Sequence, residues 1–475
     1  MENIANKLRK YIKGQPEIKI IAGEYDTSIV DAHTEEWYGE VHFQEDGSLQ
    51  GFDIELYNED EAVPDTTPPL PEDKIALFLH KAEQFVNDFV TSEVEFGMFS
   101  EWINGNYIII YEEIDGKLGI PIPHTGCTLY MNQNGDITSA QLGKKEYTLE
   151  YPDLQISKEE AKEILRNESI IELAILAEEN KTVELVYRVN PAITGVKVDG
   201  TIDNVLEFMD VEELPVHSLE KTVCEESLEK MLGITEEFVM FKDDGESKLW
   251  VEKETLDNVD PEEEIHHKVS FFEDATGQFI ASDVNWEKTE STLVHEELQV
   301  RATKFLELMV GNIHEKYWLE QPQQNDAALY EADEELEEVD TQEDDDYDYP
   351  YHPPEPTQLF TFIRQHKGMK IEGFDAIVHV GMYTGLIREC STTKVNESQL
   401  KSLRIVPTIS LEEAEKRYFD EMKMMLIRSV KNFDDTSIYD LTYTMNFPGK
   451  HGTIEKISAH TGEVTYVETG IIKEG

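Results

Sequence analysis

Ser157-Lys158-Glu159-Glu160-Ala161 and Ser410-Leu411-Glu412-Glu413-Ala414 are the same helix start written twice. In each, serine stands three residues ahead of glutamate, the spacing at which Ser157 and Glu160, or Ser410 and Glu413, can satisfy the orphan amides of a first helical turn. Outward from them, Leu185-Val186-Tyr187-Arg188-Val189-Asn190 returns as Leu441-Thr442-Tyr443-Thr444-Met445-Asn446. Upstream, Ala82 and Phe85 on a predicted helix over 73–90 answer to Ala302 and Phe305 on a predicted helix over 296–310. Residues from about 70 to 210 therefore recur over about 296–468, and a repeat of that length predicts duplicated packing units.

The units share one order: an amphipathic helix, then strands joined by tight turns. Each closing turn carries a glycine: Asp46-Gly47, Asn134-Gly135, Asp199-Gly200, Thr276-Gly277, Thr384-Gly385 and Thr461-Gly462. Asp-Gly and Asn-Gly suit the type I′ turn, which needs positive φ at both central residues. Further hairpins are expected at Asp115-Gly116 and Asp244-Gly245. Six units follow, at about 1–60, 70–145, 155–205, 217–290, 296–392 and 408–468. As larger domains they are an N-terminal unit 1–60, a first long repeat 70–210, a central unit 217–290 and a second long repeat 296–468. Ile75, Phe78, Ala82, Phe85 and Phe89 form one helical stripe, and Leu298, Ala302, Phe305 and Met309 another. Val41 and Phe43, Ile108 and Ile110, and Val269 and Phe271 alternate as half-buried antiparallel strands do. Helices on one face of antiparallel sheets define an α+β class.

The chain has 475 residues, 39% of them hydrophobic, and a net charge of −59. Such a field repels phosphates and anionic membranes, and no basic patch offsets it, so neither nucleic acid nor membrane is expected as a partner. Residues 322–356 carry fourteen acids and no Lys or Arg, which reads as a disordered insertion; without it the remainder is still at −45. The N-terminus reads as a short amphipathic helix rather than a signal peptide, and no run reaches the ~18 apolar residues of a membrane span. Cys127, Cys224 and Cys390 are too few and scattered for a disulfide framework, so a reduced, cytoplasmic protein is expected.

Signatures of catalysis are sparse. His295-Glu296-Glu297 and His314-Glu315-Lys316 begin like zinc-peptidase helices but lack the second histidine four residues on. His266 and His267 are neighbours on a predicted strand, where adjacent side chains point to opposite faces. The run Glu343–Asp348 lacks the glycine turn of an EF-hand. Cys127 and Cys390 have no base placed beside them by sequence. No catalytic residue, cofactor or metal ligand is assigned.

With a small-residue helix stripe, a Tyr/Val strand and the closing turn at Ala459-His460-Thr461-Gly462-Glu463, the unit resembles the PepSY type. Its duplication, with Gly119-Ile120-Pro121-Ile122 ahead of a Cys127–Ala140 hairpin, is similar to uncharacterised bacterial proteins with YcdB/YcdC-type repeats. The resemblance covers most of 70–210 and 296–468. It implies tandem PepSY-like units and no catalytic residues to carry over; in secreted and membrane proteins such units have been given inhibitory or binding roles, a setting from which this chain departs in lacking a signal peptide. A non-enzymatic protein- or peptide-binding chain is therefore expected, using sheet faces or exposed strand edges. The alternatives are a hydrolase-type enzyme with its site in a cleft between units, and a polyanionic decoy for a basic partner.

Overall fold

Alternating apolar residues lay down the strands, and the register between strands decides where each belongs. A computed structural model describes residues 2–23, 27–44, 46–54, 70–103, 105–143, 146–177, 182–211, 214–256, 268–321, 354–433, 435–448, 452–468 and 471–472. The chain is α+β, with helices laid on antiparallel sheets.

The first half runs α1 (Glu2–Leu8), β1 (Ile18–Ala22), β2 (Thr27–Asp31), β3 (Trp37–Phe43), β4 (Leu49–Ile54), α2 (Glu72–Phe89), β5 (Val94–Ile103), β6 (Asn106–Ile114), β7 (Pro121–Met131) and β8 (Ile137–Leu142). It continues with β9 (Thr148–Leu149), α3 (Lys158–Asn167), β10 (Ile171–Ala177), β11 (Val183–Val189), β12 (Ile193–Lys197) and β13 (Ile202–Asn204). The second half repeats the plan with β14 (Val216–Ser218), β15 (Phe238–Asp243), β16 (Ser247–Glu252), β17 (Lys268–Glu273), β18 (Gly277–Ser282), α4 (His295–Val310), β19 (Tyr317–Glu320), β20 (Thr357–His366), β21 (Met369–Lys370), β22 (Ala376–Gly381) and β23 (Ile387–Thr393). It ends with α5 (Leu411–Glu421), β24 (Lys423–Val430), β25 (Ile438–Asn446), β26 (Gly452–Ser458), β27 (Val464–Glu468) and β28 (Ile471–Ile472).

Two large sheets follow one design. Sheet 1 has the order β1-β2-β3-β4-β8-β7-β6-β5-β28, and sheet 4 the order β14-β19-β20-β22-β23-β18-β17-β16-β15, with β21 beside β20. In each, two four-stranded meanders join last strand to last strand, β4 on β8 and β18 on β23. Helix α2 buries Phe78, Ala82 and Phe85 over sheet 1, and α4 buries Leu298, Ala302, Phe305 and Leu306 over sheet 4. Each such phenylalanine removed from water contributes about 1.5–3 kcal/mol.

The small sheets are made differently. Sheet 2 has the order β13-β12-β25-β24, with β9 against β25, and sheet 3 the order β10-β11-β26-β27. Each therefore takes one hairpin from either half. Helix α3 packs on β24 and β12, while α5 packs on β10. Units 155–205 and 408–468 have exchanged hairpins and share one core. The repeat tyrosines mark the symmetry: the Tyr187 hydroxyl donates to the carbonyl of Ile409, just ahead of the Ser410 cap, and the Tyr443 hydroxyl to that of Ile156, just ahead of the Ser157 cap, at 3.0 and 2.9 Å. At the ends, β14 adds to β19 within the second half, while β28 of the second half crosses to add to β5 of the first.

Two junctions tie the large sheets to this core through the connection between the second and third strands of each long repeat. At the β6–β7 connection Asp115 meets Arg428 of β24, both side chains fully buried, with Nη2 to Oδ2 at 2.7 Å. Asp115 also accepts from the amides of Lys117 and Leu118 and from the Tyr151 hydroxyl. Arg428 donates to the Glu150 and Tyr439 carbonyls and lies 4.4 Å from the Tyr151 ring centre. Burial pushes the Asp115 carboxyl up, but these donors outweigh it and hold it below its ordinary value. The β20–β22 connection instead brings fully buried Ile371 onto fully buried Ile175 of β10, backed by Phe374.

Candidate functional site

Ser157 caps α3 as a full box: its hydroxyl accepts from the Glu160 amide, and the Glu160 carboxylate accepts from the Ser157 amide and hydroxyl. Ser410 caps α5 by accepting from the Glu413 amide at 3.2 Å, but the Glu413 carboxylate accepts from Arg417 instead. Gly47, Gly135, Gly200, Gly385 and Gly462 sit in turns at positive φ. Gly277 corrects the expectation of a turn glycine. It opens β18 without positive φ, and a Cβ there would collide with the Thr392 carbonyl of β23, so close strand approach is what excludes a side chain.

The acidic stretch also needs correction at its end. Residues 322–353, with the run Glu343–Asp348, lie outside the described residues, as do His266 and His267. Glu355 is no part of a loose tail. Its buried carboxylate meets Arg388 at 2.6 Å and accepts from the Tyr383 and Thr384 amides and the Thr384 hydroxyl, fixing the β22–β23 turn.

Cys127 and Cys390 are buried in the cores of sheets 1 and 4, and burial pushes both thiols up to about 12. Neither is activated as a nucleophile. His295 lies with its ring 5.4 Å from that of Phe360, and His314 sits beside Glu315. Among the described residues no group of three or more His, Cys, Asp or Glu side chains is arranged to hold a metal ion, and no helix is long and apolar enough to cross a membrane.

An open depression of about 550 Å³ lies at the hairpin tips of sheet 4, lined by Lys242, Asp244, Ser247, Phe272, Glu273 and Phe279 among others. Lys242 lowers the Asp244 carboxyl to about 2, and Lys394 lowers that of Glu273. Both are held ionised, the opposite of what a general acid requires. A second depression, of about 500 Å³, is lined by Glu113, Glu146, Tyr147, Thr148 and Ser437. Burial, with Glu113 accepting from its hydroxyl at 2.6 Å, pushes Tyr147 up to about 12. The first depression sets Phe272 and Phe279 among charged side chains, and the second is lined mainly by polar groups.

The uncovered faces of the large sheets separate them. In sheet 1 the register sets His42, Gly51, Gln141, Thr128 and Ile110 in one row and Glu40, Asp53, Ser139, Tyr130 and Ile108 in the next. Across β3, β4 and β8 that face is polar, as a wet antiparallel face should be, while exposed Trp102 lies against Tyr130 towards the β5 edge. In sheet 4 the corresponding row is Ser247, Phe272, Phe279, Ser391 and Ile377. Phe272, Phe279 and Ile377 are 52%, 39% and 36% exposed, and Phe241, at a bulge opposite Leu249 in β15, is 51% exposed. Adjacent apolar residues betray this in the sequence: Phe271 faces the core and Phe272 the solvent, and β15 reads Phe238-Val239-Met240-Phe241. The fold does not demand these phenylalanines, because sheet 1 closes the same way without them.

No protein-family model matches the chain, and no curated protein matches it. Among solved structures, the Bacillus megaterium YpeB C-terminal domain is similar over 43% of this chain and 96% of that domain, at 19% identity and a TM-score of 0.28.

Proposed function

We propose that this is a non-enzymatic binding protein, built from PepSY-like units, that takes an extended apolar and basic segment of another protein on the uncovered face of sheet 4. The row Phe272, Phe279 and Ile377, exposed where sheet 1 is polar, carries the reading. Burying such a row repays a partner at about 25 cal/mol per Å². Charge sets the partner's sign: Asp243, Asp244, Glu246, Glu273 and Asp274 crowd the adjoining hairpin tips of a chain at −59. The helix–hairpin–hairpin order shared by 155–205 and 408–468 supports the PepSY-like assignment, including the YcdB/YcdC-type duplication. A cytoplasmic setting belongs to the same proposal and is supported by three unpaired thiols.

Titration of the folded chain with synthetic peptides tests the reading, one peptide alternating Leu and Lys, the other Leu and Glu. The Lys peptide should bind, and Phe272→Ser with Phe279→Ser should weaken it about tenfold or more. Leu77→Ser, an exposed apolar position on α2, should leave binding unchanged. Binding that ignores Phe272 and Phe279 would reduce the interaction to polyanion attraction and remove sheet 4 as the site.

A further inference from the structure

The two junctions are equivalent in place and opposite in chemistry. Leu173 pairs with Tyr187 in sheet 3 and Leu426 with Tyr443 in sheet 2, so two residues further on Ile175 of β10 corresponds to Arg428 of β24. Asp115 and Ile371 lie on corresponding connections. The first half thus contributes an acid and an isoleucine, the second an arginine and an isoleucine.

Because the halves share one plan, each could in principle exchange hairpins with another copy of itself. Two first halves would bury Asp115 against Ile175 with no guanidinium present. Two second halves would bury Arg428 against Ile371; the one carboxylate beside it, Glu372, is directed to the other face of the ladder, where in the native pairing it meets Arg188. The nearby charges do not rescue either arrangement. Arg188 pairs with Glu172 and Glu372. It lies on the opposite face of the β10–β11 ladder from Ile175, since Glu172 registers with Arg188 and Ile175 with Leu185. Lys431 and Glu150 pair at an exposed rim. The Lys117 and Leu118 amides and the Tyr151 hydroxyl travel with Asp115, but the Lys117 ammonium sits over the Tyr151 ring at 4.0 Å, whereas Arg428 donates to the carboxylate directly.

We propose that Asp115 and Arg428 form a specificity device that makes each half accept the other and refuse its own copy. A buried ion pair adds little over an apolar pair of the same shape, yet either member left alone is heavily penalised. Both self-pairings strand two such charges, so the pair acts chiefly against the wrong partner.

The test begins with the full chain carrying a protease site inserted after Asp210, upstream of β14. After cleavage the fragments should stay together one to one in native buffer. Unfolded in urea, refolded together and weighed by native mass spectrometry, they should give self-pairs at least ~100-fold rarer than mixed pairs. In Asp115→Leu with Arg428→Ile, self-pairs should rise towards the statistical half of all pairs. Asp115→Arg with Arg428→Asp should restore exclusion. Statistical self-pairing in the unmodified fragments, or continued exclusion in the apolar double variant, would overturn the proposal. Co-expression of the two fragments in one cell gives the same readout without refolding. If neither route yields folded fragments, the intact chain decides: each apolar single variant should lower the urea midpoint and the double variant should recover it. A double variant no better than the worse single would refute the device.

Discussion

Sheets 2 and 3 are two solutions to one problem. Each lies under one helix, takes a hairpin from either half, and ties a serine-capped helix to a tyrosine of the other half. They differ in how they are fastened. Sheet 2 is joined to its large sheet by a fully buried ion pair and has a reciprocal cap, whereas sheet 3 is joined by buried isoleucines, with its ion pair Arg188–Glu372 partly exposed on the other face, and has a one-way cap. A duplicated backbone therefore need not carry duplicated energetics, and substitution at paired positions measures the gap.

The largest effect is expected at the ion pair. Arg428→Ala leaves Asp115 buried without its partner and should cost about 3–5 kcal/mol in urea unfolding. Ile175→Ala, at the corresponding place, leaves only a cavity and should cost about 2–4 kcal/mol. Equal costs that also respond equally to salt would erase the distinction between the two fastenings.

Caps come next. Ser157→Ala should cost about 1 kcal/mol and Ser410→Ala about half that, since Glu160 returns its bonds to Ser157 while Glu413 is drawn to Arg417. Amide exchange in the first turns of α3 and α5 reads both, and a larger loss at α5 would contradict the one-way cap.

The last effect, comparable in size to the caps, depends on pH and sits where β6 of sheet 1 faces β25 of sheet 2. Burial pushes Glu112 of β6 up to about 6, and its charge adds to the burial that raises the Tyr439 hydroxyl in β25. A carboxyl whose folded value is raised binds its proton more tightly in the folded state, so wild-type stability should fall as pH rises from about 4.5 to 6 and then level off. Glu112→Gln should be the more stable protein at pH 7.5, by on the order of 1 kcal/mol, with the difference closing below pH 4.5. A constant difference across that range would place the titrating group elsewhere.

What the sequence made legible is local. Ser157 and Ser410 start helices, Ala82, Phe85, Ala302 and Phe305 fall on buried stripes, and Gly135 and Gly385 reverse hairpins, because each signal spans only a few residues. Hairpin exchange leaves no such trace: the alternation along β12 is the same whether its neighbour is β11 or β25. Composition alone groups Glu355 with its acidic neighbours, because it cannot distinguish a solvated carboxylate from one buried on Arg388. The uncovered row on sheet 4 was readable in principle, since Phe271-Phe272 breaks the period-2 rule, but the sequence did not say which face a helix would cover.

Hairpin exchange also imposes a schedule on synthesis. Tyr187 of β11 registers with Ile457 of β26, 270 residues downstream. At roughly 5–20 residues per second the ribosome needs on the order of 15–55 s to supply that partner. Throughout that interval the nascent first half holds β11 with an open apolar edge, the kind of edge that recruits strands from other chains. Only when residues 452–458 have been made can β26 cover that edge, so completion of sheet 3 waits for nearly the whole chain.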